Sequence, residues 1–379
     1  MKRELFDTEH NMFRKSFRTF LEREVLPHRK EWEAAGIVPR DIWLKAGKNG
    51  FLVPWVDEQY GGTGVKDFRF DQIICEELGR ANEAGFFIPL QNSLVAPYIN
   101  EFGNEEQKKR ILPKCVTGET ILAIAMTEPG TGSDLAGMKT KAVDMGDHFI
   151  LNGSKTFISN GLLADVILVT ARTDPENPHA MGMFIVERGQ KGFERGRNLE
   201  KIGMKSQDTA ELFFSNVIVP KANVLGDPSQ GFMYLMKMLA QERLTLACGA
   251  VGGAQAAYDL TKSYIKERKA FGKPISKFQN TRFKMAEMKT EIDMAQVFVD
   301  RCVMDHNKGT LTGDIACQAK LYTSELACRV ADECVQLHGG YGYMMEYPIA
   351  SMYLNVRIHR IFAGTSEIMK EVIARANGL

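Results

Sequence analysis

The spacing of hydrophobic residues divides the chain into a helical first part, a β-rich middle part and a helical last part. Near the N-terminus Phe13, Phe17 and Phe20 recur at three- and four-residue intervals, which predicts an amphipathic helix that ends before Pro27. Further helical segments follow up to about residue 120.

Short runs rich in β-branched and aromatic residues replace the helical spacing between about residues 121 and 225, and they predict strands. The runs are Ile121–Met126, Phe149–Leu151, Val166–Thr170, Met183–Val186 and Glu211–Val219. Asn152-Gly153 follows the second run, and this dipeptide is typical of a two-residue hairpin turn. We therefore expect the chain to reverse direction there.

Helical spacing returns from about residue 230, in long amphipathic segments. These segments lie near 231–268, 279–307, 313–337 and 365–376. Helices, then a sheet, then helices argue against a doubly wound parallel sheet. We expect a mainly α fold with a middle β domain, made of an N-terminal helical domain (1–120), a compact sheet domain (121–228) and a C-terminal helical bundle (229–379).

Composition narrows the class of protein. A chain of 379 residues is expected to form two or three packed units. Lys plus Arg (48) nearly equals Asp plus Glu (47), which removes the electrostatic case for a nucleic-acid partner. The seven cysteines show no C-x-x-C spacing and the histidines no ligand pair, so we expect free thiols and no metal centre. No apolar run is long enough to span a membrane and no targeting segment is seen, so we expect a soluble, cytoplasmic protein.

A glycine-rich turn follows the first predicted strand, at residues 126–134, which read MTEPGTGSD. The backbone N–H groups and hydroxyls of such a turn can hold a phosphate or a polar ring edge, although an ordinary tight turn explains the pattern equally well. In the stretch 155–161, Phe157 and Ser159 fall on one face of a strand and could flank a planar cofactor. Taken alone, Phe157 is expected to pack in the core.

Glu242 lies on an otherwise apolar stripe of the helix predicted to begin near Gly231. Leu235, Leu239 and Leu246 share this stripe at spacings of three and four residues. A carboxylate there is costly to ionise, so the pKa of Glu242 should rise and make the side chain a better base. The alternative is an ion pair that neutralises Glu242.

Four further stretches have simple structural explanations when each is taken alone. The glycines of 249–253 lack a dinucleotide-binding spacing and are expected to permit close helix packing. The basic residues of 267–273 stand at a helix end, where they offset the helix dipole. The stretches 336–342 and 360–368 are expected to be glycine breaks between helices.

Taken together and in this order, the stretches resemble the acyl-CoA dehydrogenase family over essentially the whole chain. The motifs are MTEPGTGSD, FISNG, ERKAFGK, QLHGGYGY and FAGTSEI, and their joint match is far more specific than any single one. The likeness is greatest to the long-chain branch of the family, through DTAELFF (208–214), QERL (241–244) and GTSEIMKE (364–371). The resemblance implies a β-barrel-like middle domain and a C-terminal four-helix bundle.

The resemblance also implies non-covalently bound FAD, a homotetramer built as a dimer of dimers, and an electron-transfer flavoprotein as acceptor. Residues expected to line the flavin and its pyrophosphate are Ile124, Ala125, Met126, Thr127 and Ser133, and those flanking the ring are Phe157, Ile158 and Ser159. Residues expected to reach FAD across the dimer interface are Arg268, Phe271, Gln279, Gln336, Leu337, His338, Gly339 and Gly340. Thr365, Ser366 and Glu367 are expected to hold the remaining FAD edge.

The loop in which most members carry the catalytic glutamate has Ala363 at that position. Long-chain and isovaleryl members instead carry the glutamate on a bundle helix, at the position of Glu242. The resemblance therefore implies that Glu242 removes the α proton of an acyl-CoA while hydride leaves Cβ for the flavin, giving a trans-2-enoyl-CoA in fatty acid β-oxidation. The Ala363 N–H is expected to polarise the thioester, with Ser133, Arg243 and Gly364 touching the substrate.

Phe362 stands where isovaleryl-type members have glycine, which favours straight or remotely branched chains of medium or long length. Branched or terpenoid acyl-CoA substrates are an alternative. An acyl-CoA oxidase or flavin monooxygenase on the same fold is another, and a catalytically silent scaffold is the non-enzymatic one.

Overall fold

The computed structural model describes residues 3–177 and 179–379. The first part of the chain is helical, as predicted. Its helices are α1 (Thr8–Phe20), α2 (Arg29–Ala35), α3 (Arg40–Lys48), α4 (Arg69–Ala81), α5 (Ala96–Phe102) and α6 (Glu105–Thr117). A π-helical segment, Leu90–Val95, leads directly into α5. Asp7 caps α1 by accepting hydrogen bonds from two backbone N–H groups, which fixes where the helix begins.

The N-terminal helices enclose an aromatic core. Trp43 is fully buried and meets the ring of Phe86 edge-on at 5.3 Å between centroids. Trp32 is also buried, and Trp55 donates its indole N–H to the Asn92 carbonyl at 2.9 Å. All three tryptophans of the chain therefore lie between residues 32 and 55.

The middle part forms a mixed sheet. Its strands are β1 (Leu122–Ala125), β2 (Lys141–Asp144), β3 (His148–Ser159), β4 (Val166–Arg172), β5 (Met181–Glu187), β6 (Phe193–Asn198), β7 (Thr209–Pro220) and β8 (Val224–Leu225). They run in the order β6-β7-β3-β2-β4-β5-β8, and β1 pairs in parallel with β4. In the part of the chain described, β6 and β8 remain edges, so the sheet does not close into a barrel.

The hairpin predicted at Asn152-Gly153 is wrong, because both residues lie inside the long strand β3. The register against β7 shifts between Leu151 and Gly153, so the dipeptide forms a bulge instead of a turn. Gly153 has a φ of 149°, and a Cβ there would lie 2.4 Å from the Thr140 hydroxyl. Glycine is thus required by backbone conformation and close packing.

The last part is a helical bundle. It contains α7 (Gly231–Glu267), the short strands β9 (Lys269–Ala270) and β10 (Lys273–Pro274), α8 (Gln279–Asn307), α9 (Gly313–His338), α10 (Pro348–Val356) and α11 (Ser366–Ala376). These bounds confirm the predicted long helices, whereas α10 was not predicted. Among the described residues, no helix is both long and apolar enough to cross a membrane. The cysteines are free thiols, and most are buried.

The glycines of α7 allow it to approach α4 closely, as predicted. A Cβ at Gly252 would lie 2.8 Å from the Glu76 carbonyl oxygen, and one at Gly79 would lie 2.4 Å from the Gly249 carbonyl oxygen. Neither distance is tolerable, so the two helix backbones meet at these residues. This contact fixes α7 against α4.

Candidate active site

A largely apolar cavity of about 240 Å³ lies between the sheet and the bundle. The ends of β1 and β3 form one wall, with Ile124, Met126, Thr127, Phe157, Ile158 and Ser159. The wall formed by α7 contributes Glu242, Thr245, Leu246, Gly249, Gly253 and Ala257. Phe362 and Ala363 border the same cavity. The fold thus gathers residues from two predicted cofactor stretches, the predicted base and the loop before α11.

Glu242 is 5% exposed, and burial raises its pKa to about 7. The Tyr98 hydroxyl donates to its Oε1 at 2.7 Å, and this bond and the charge of Arg243 oppose the rise. Within the described residues Tyr98 is its only hydrogen-bond partner, and the neutralising ion pair is not formed. The sequence did not single out Tyr98, because the two residues are 144 positions apart.

The loop at Ala363 is held in an unusual backbone conformation. Ala363 has a φ of 53° and Gly364 one of 93°. Lys320, which is fully buried on α9, donates from Nζ to the Gly364 carbonyl at 2.6 Å. In the described part of the chain no acceptor pairs with the Ala363 N–H, so this donor is free beside the cavity.

A buried ion pair fixes the glycine-rich turn that follows β1. Lys155, fully buried on β3, donates from Nζ to Glu128 Oε1 at 2.9 Å and to the Met126 carbonyl at 3.0 Å. Glu128 in turn accepts the backbone N–H groups of Lys139 and Thr140. Burial lowers the pKa of Lys155 to about 8. The turn therefore leaves β1 in a defined direction, with Met126 and Thr127 on the cavity wall.

Phe157 does not pack in the core, and that prediction is wrong. It is 67% exposed, with a φ of 60°, at a point where the register of β3 against β7 shifts. The ring lines the cavity, to which Ser159 and Thr127 also contribute. An uncovered aromatic side chain with hydroxyl groups nearby fits a flat ring that carries polar edges.

A second group of predicted residues lies at the end of the bundle where α7 and α9 finish. Arg268 follows α7 and stacks over the ring of Tyr341 at 5.4 Å. Phe271, at the tip of the β9–β10 turn, is 94% exposed. His338 is buried against Tyr264, with ring centroids 4.1 Å apart. Exposed neighbours at this end are Gln279, Gln336, Gly339 and Gly340, with Leu337 partly buried.

Several predicted residues lie away from the cavity. The side chain of Ala125 is buried in the sheet core, and Ser133 is exposed on the glycine-rich turn. Arg243 is buried and donates to the Cys317 sulfur at 3.1 Å. The start of α11 holds the others: Thr365 caps the helix, Ser366 donates to Glu325 at 2.6 Å, and Glu367 is exposed.

Comparisons with known proteins place the whole chain in one family. Models of the N-terminal, middle and C-terminal domains of acyl-CoA dehydrogenases match residues 7–119, 123–217 and 229–377. The mitochondrial long-chain specific acyl-CoA dehydrogenase of Sus scrofa is 48% identical over 376 residues, which are 98% of this chain and 87% of that protein.

Solved structures of the same family also match this chain. The crystal structure of an acyl-CoA dehydrogenase from Geobacillus kaustophilus superposes with a TM-score of 0.98 at 51% identity, and 100% of each chain is covered. A glutaryl-CoA dehydrogenase from Mycobacterium smegmatis in complex with FADH2 gives a TM-score of 0.92 at 29% identity, covering 98% of this chain and 95% of that chain. Since these relatives share nearly the whole chain, and not a single domain, the protein belongs to the acyl-CoA dehydrogenase family and is an FAD-dependent oxidoreductase.

Proposed function

We propose that this enzyme dehydrogenates medium- and long-chain fatty acyl-CoA between Cα and Cβ to the trans-2-enoyl-CoA, as in fatty acid β-oxidation, with Glu242 as the base. The observation that carries the proposal is the buried Glu242 carboxyl group on the wall of an apolar cavity, beside a neutral partner. A carboxyl group whose pKa lies near 7 is ionised for part of the time at neutral pH and is still basic enough to remove a weakly acidic proton.

The free N–H of Ala363 supports a role in polarising the thioester carbonyl. The α proton of a thioester is acidic enough to remove only when negative charge on the carbonyl oxygen is stabilised. Lys320 holds the next residue, Gly364, by its carbonyl, which keeps the loop and its N–H from rotating away from the cavity. Glu242 and this N–H then act on neighbouring atoms of one substrate.

The wall at β1 and β3 supports the binding of the flavin ring, through Met126, Thr127, Phe157, Ile158 and Ser159. When bound there, FAD supplies the oxidising power by accepting the hydride from Cβ. Apolar side chains around Glu242 exclude water from the base. For reoxidation we propose an electron-transfer flavoprotein, as the family resemblance implies.

Small side chains along α7 support a long acyl chain. Gly249, Gly253 and Ala257 line the cavity beyond Glu242, and α9 adds Ala327 and Ala331. From Glu242 to Ala257 the helix advances about 22 Å at 1.5 Å per residue, which suits a long fatty acyl chain. A methyl group at Gly249 or Gly253 would make only an ordinary contact of 3.7 Å with the facing backbone. Helix packing therefore does not require glycine at these two positions. A channel for the acyl chain does, because any larger side chain would occupy cavity volume.

The test is anaerobic reduction of the bound flavin by straight-chain acyl-CoA substrates of increasing length. We expect flavin absorbance to bleach with medium and long chains, and a trans-2-enoyl-CoA to be recovered. Branched substrates of equal carbon number are the matched comparison. No bleaching with any chain would overturn the proposal. Turnover in air with stoichiometric peroxide would favour an oxidase.

A further inference from the structure

Tyr98 connects the N-terminal helices to the proposed base. Its side chain is fully buried, so water cannot reach its hydroxyl, and Glu242 Oε1 is the acceptor at 2.7 Å. The neighbouring Gln241 donates to the Ser93 carbonyl at 2.7 Å, in the π-helical segment before α5. Two successive residues of α7 are therefore tied to one short stretch of chain. This double contact fixes the rotation of α7 about its axis at the level of Glu242.

The two carboxylate oxygens of Glu242 have different surroundings. Oε1 accepts the Tyr98 hydrogen bond, whereas Oε2 accepts none from the described residues. Oε2 is not fully enclosed by the described residues, and Glu242 lines the cavity. Oε2 therefore faces the cavity.

We propose that Tyr98 is a positioning residue that holds Oε1 and leaves Oε2 as the atom that takes the α proton. The inference rests on the proposed function. In the step, the Cα–H bond breaks and its proton passes to Oε2, while its electron pair forms the Cα–Cβ π bond. Hydride leaves Cβ for FAD, so the acyl chain is oxidised and the flavin is reduced.

The Tyr98 bond also affects the pH at which Glu242 is active. A hydroxyl donor stabilises the carboxylate more than the carboxylic acid, so removing it should raise the pKa of Glu242 further. A base acts only when deprotonated. The acid limb of the rate profile, expected near pH 7, should therefore move to higher pH.

Two buried groups near Glu242 titrate in the same pH range: burial raises the pKa of Asp71, which accepts the Ser93 hydroxyl, to about 7 and lowers that of Lys320 to about 8. Neither is bonded to Tyr98, so each should contribute equally in the parent and in Tyr98→Phe.

On α7, the charge of the adjacent Arg243 opposes the rise in the pKa of Glu242. Among the residues of the other cavity walls, burial lowers the pKa of His359 to about 4 and raises that of Cys75 well above its usual value, so both are neutral near pH 7. Glu83 on the same cavity lies 3.5 Å from the Arg29 guanidinium.

The test compares Tyr98→Phe with the parent holoenzyme by anaerobic stopped-flow flavin reduction between pH 6 and pH 9, at saturating acyl-CoA. We expect the acid limb to move up by about one pH unit, which is about tenfold in rate at pH 6. Tyr234→Phe is the control, because it removes a hydroxyl on α7, the helix of Glu242, that accepts the Asp227 backbone N–H and does not contact the base. The acid limb of the Tyr234→Phe rate profile should stay at the same pH as in the parent enzyme.

Tyr98→Phe combined with Glu242→Gln distinguishes positioning from general damage. If Tyr98 acts through Glu242, the double variant should reduce flavin no more slowly than Glu242→Gln alone. Flavin content and melting temperature check that each variant folds. An unmoved acid limb in folded Tyr98→Phe would overturn the role of Tyr98 and leave the base assignment standing. Unimpaired flavin reduction by Glu242→Gln would instead overturn the proposed function.

Discussion

At the scale of single residues, the proposed base is a carboxyl group that the fold keeps out of water. Glu242→Gln retains the shape and the Tyr98 contact but cannot accept a proton, so we expect flavin reduction to fall by more than the ~10²–10⁴-fold typical of a lost general base. Folding should not suffer. Because burial raises the pKa of Glu242 from 4.5 to about 7 on folding, stability is lost as the pH rises between these two values, and glutamine avoids that loss.

Adding Ala363→Glu to that variant tests whether the base can change its position. Ala363 borders the same cavity, so a carboxylate there should reach the α carbon from another direction. We expect partial recovery of flavin reduction, with a shift towards shorter chains because the new side chain occupies cavity volume. Ala363→Gln in the same background is the control. Equal rates in the two double variants would contradict the exchange.

Single residues also show the limits of prediction from sequence. The apolar stripe placed Glu242 on a buried helix face, because that inference needs only the period of one helix. Tyr98 could not be found this way, since its contact depends on how two distant segments pack. The strand pattern of Phe157, taken alone, predicted core packing, whereas the family resemblance placed it beside the flavin; the register shift around it could not be read from the strand pattern.

At the scale of elements, one face of α7 carries both Gly252, which packs against α4, and the cavity-lining Gly249 and Gly253, because Gly252 and Gly253 follow Gly249 by three and four positions. Gly253 lies eleven residues beyond Glu242, about 16 Å along the helix, and Gly249 lies about 10 Å along it. Gly253→Leu should therefore lower kcat/KM for the longest acyl chains only, whereas Gly249→Leu should lower it for medium chains as well. A panel of acyl-CoA chain lengths measures both.

Two glycine-to-alanine substitutions serve as controls for that series. Gly249→Ala should stabilise the helix by about 0.5–1 kcal/mol, because its methyl group has room. Gly252→Ala should destabilise the protein, because its methyl group meets the α4 backbone, without altering the order of chain preference. Uniform loss of activity at all chain lengths in the leucine variants would contradict the channel.

The bounds of the long helices could be predicted from the sequence, whereas the turn at Asn152-Gly153 and the short strand β6 could not. Helices α7, α8 and α9 end within a residue or so of the predicted bounds, because each carries many turns of one amphipathic pattern. The Asn152-Gly153 hairpin failed because its signal is local, whereas the bulge depends on close packing against Thr140, which precedes β2. Strand β6, with arginines at 195 and 197, lacks the apolar content that marks a strand.

At the scale of the whole molecule, the exposed end of the bundle supports an oligomer that completes the FAD site. Arg268 and Phe271 stand away from the cavity of their own chain, and Phe271 is almost fully exposed. We propose that a second copy of the chain covers them.

We also propose that the three domains divide near residues 120 and 228, between the runs of helices and strands.

Arg268→Ala should lower FAD retention after desalting, most strongly in dilute protein, while helix content stays unchanged. Lys269→Ala is the control, since it removes an exposed charge from the adjacent residue. Retained flavin content is read from visible absorbance per chain, with the parent expected to hold about one FAD. Lost helicity with unchanged flavin content would assign Arg268 to the helix end alone.

The placement of the three tryptophans between residues 32 and 55 gives the molecule a built-in optical label. The core around Trp43 also contains Leu168 and Met183 from the sheet, so indole fluorescence reports the contact of the helices with the sheet. The visible absorption of bound flavin reports the cavity instead. Loss of cofactor and loss of fold therefore give separate spectroscopic signals in the same unlabelled sample.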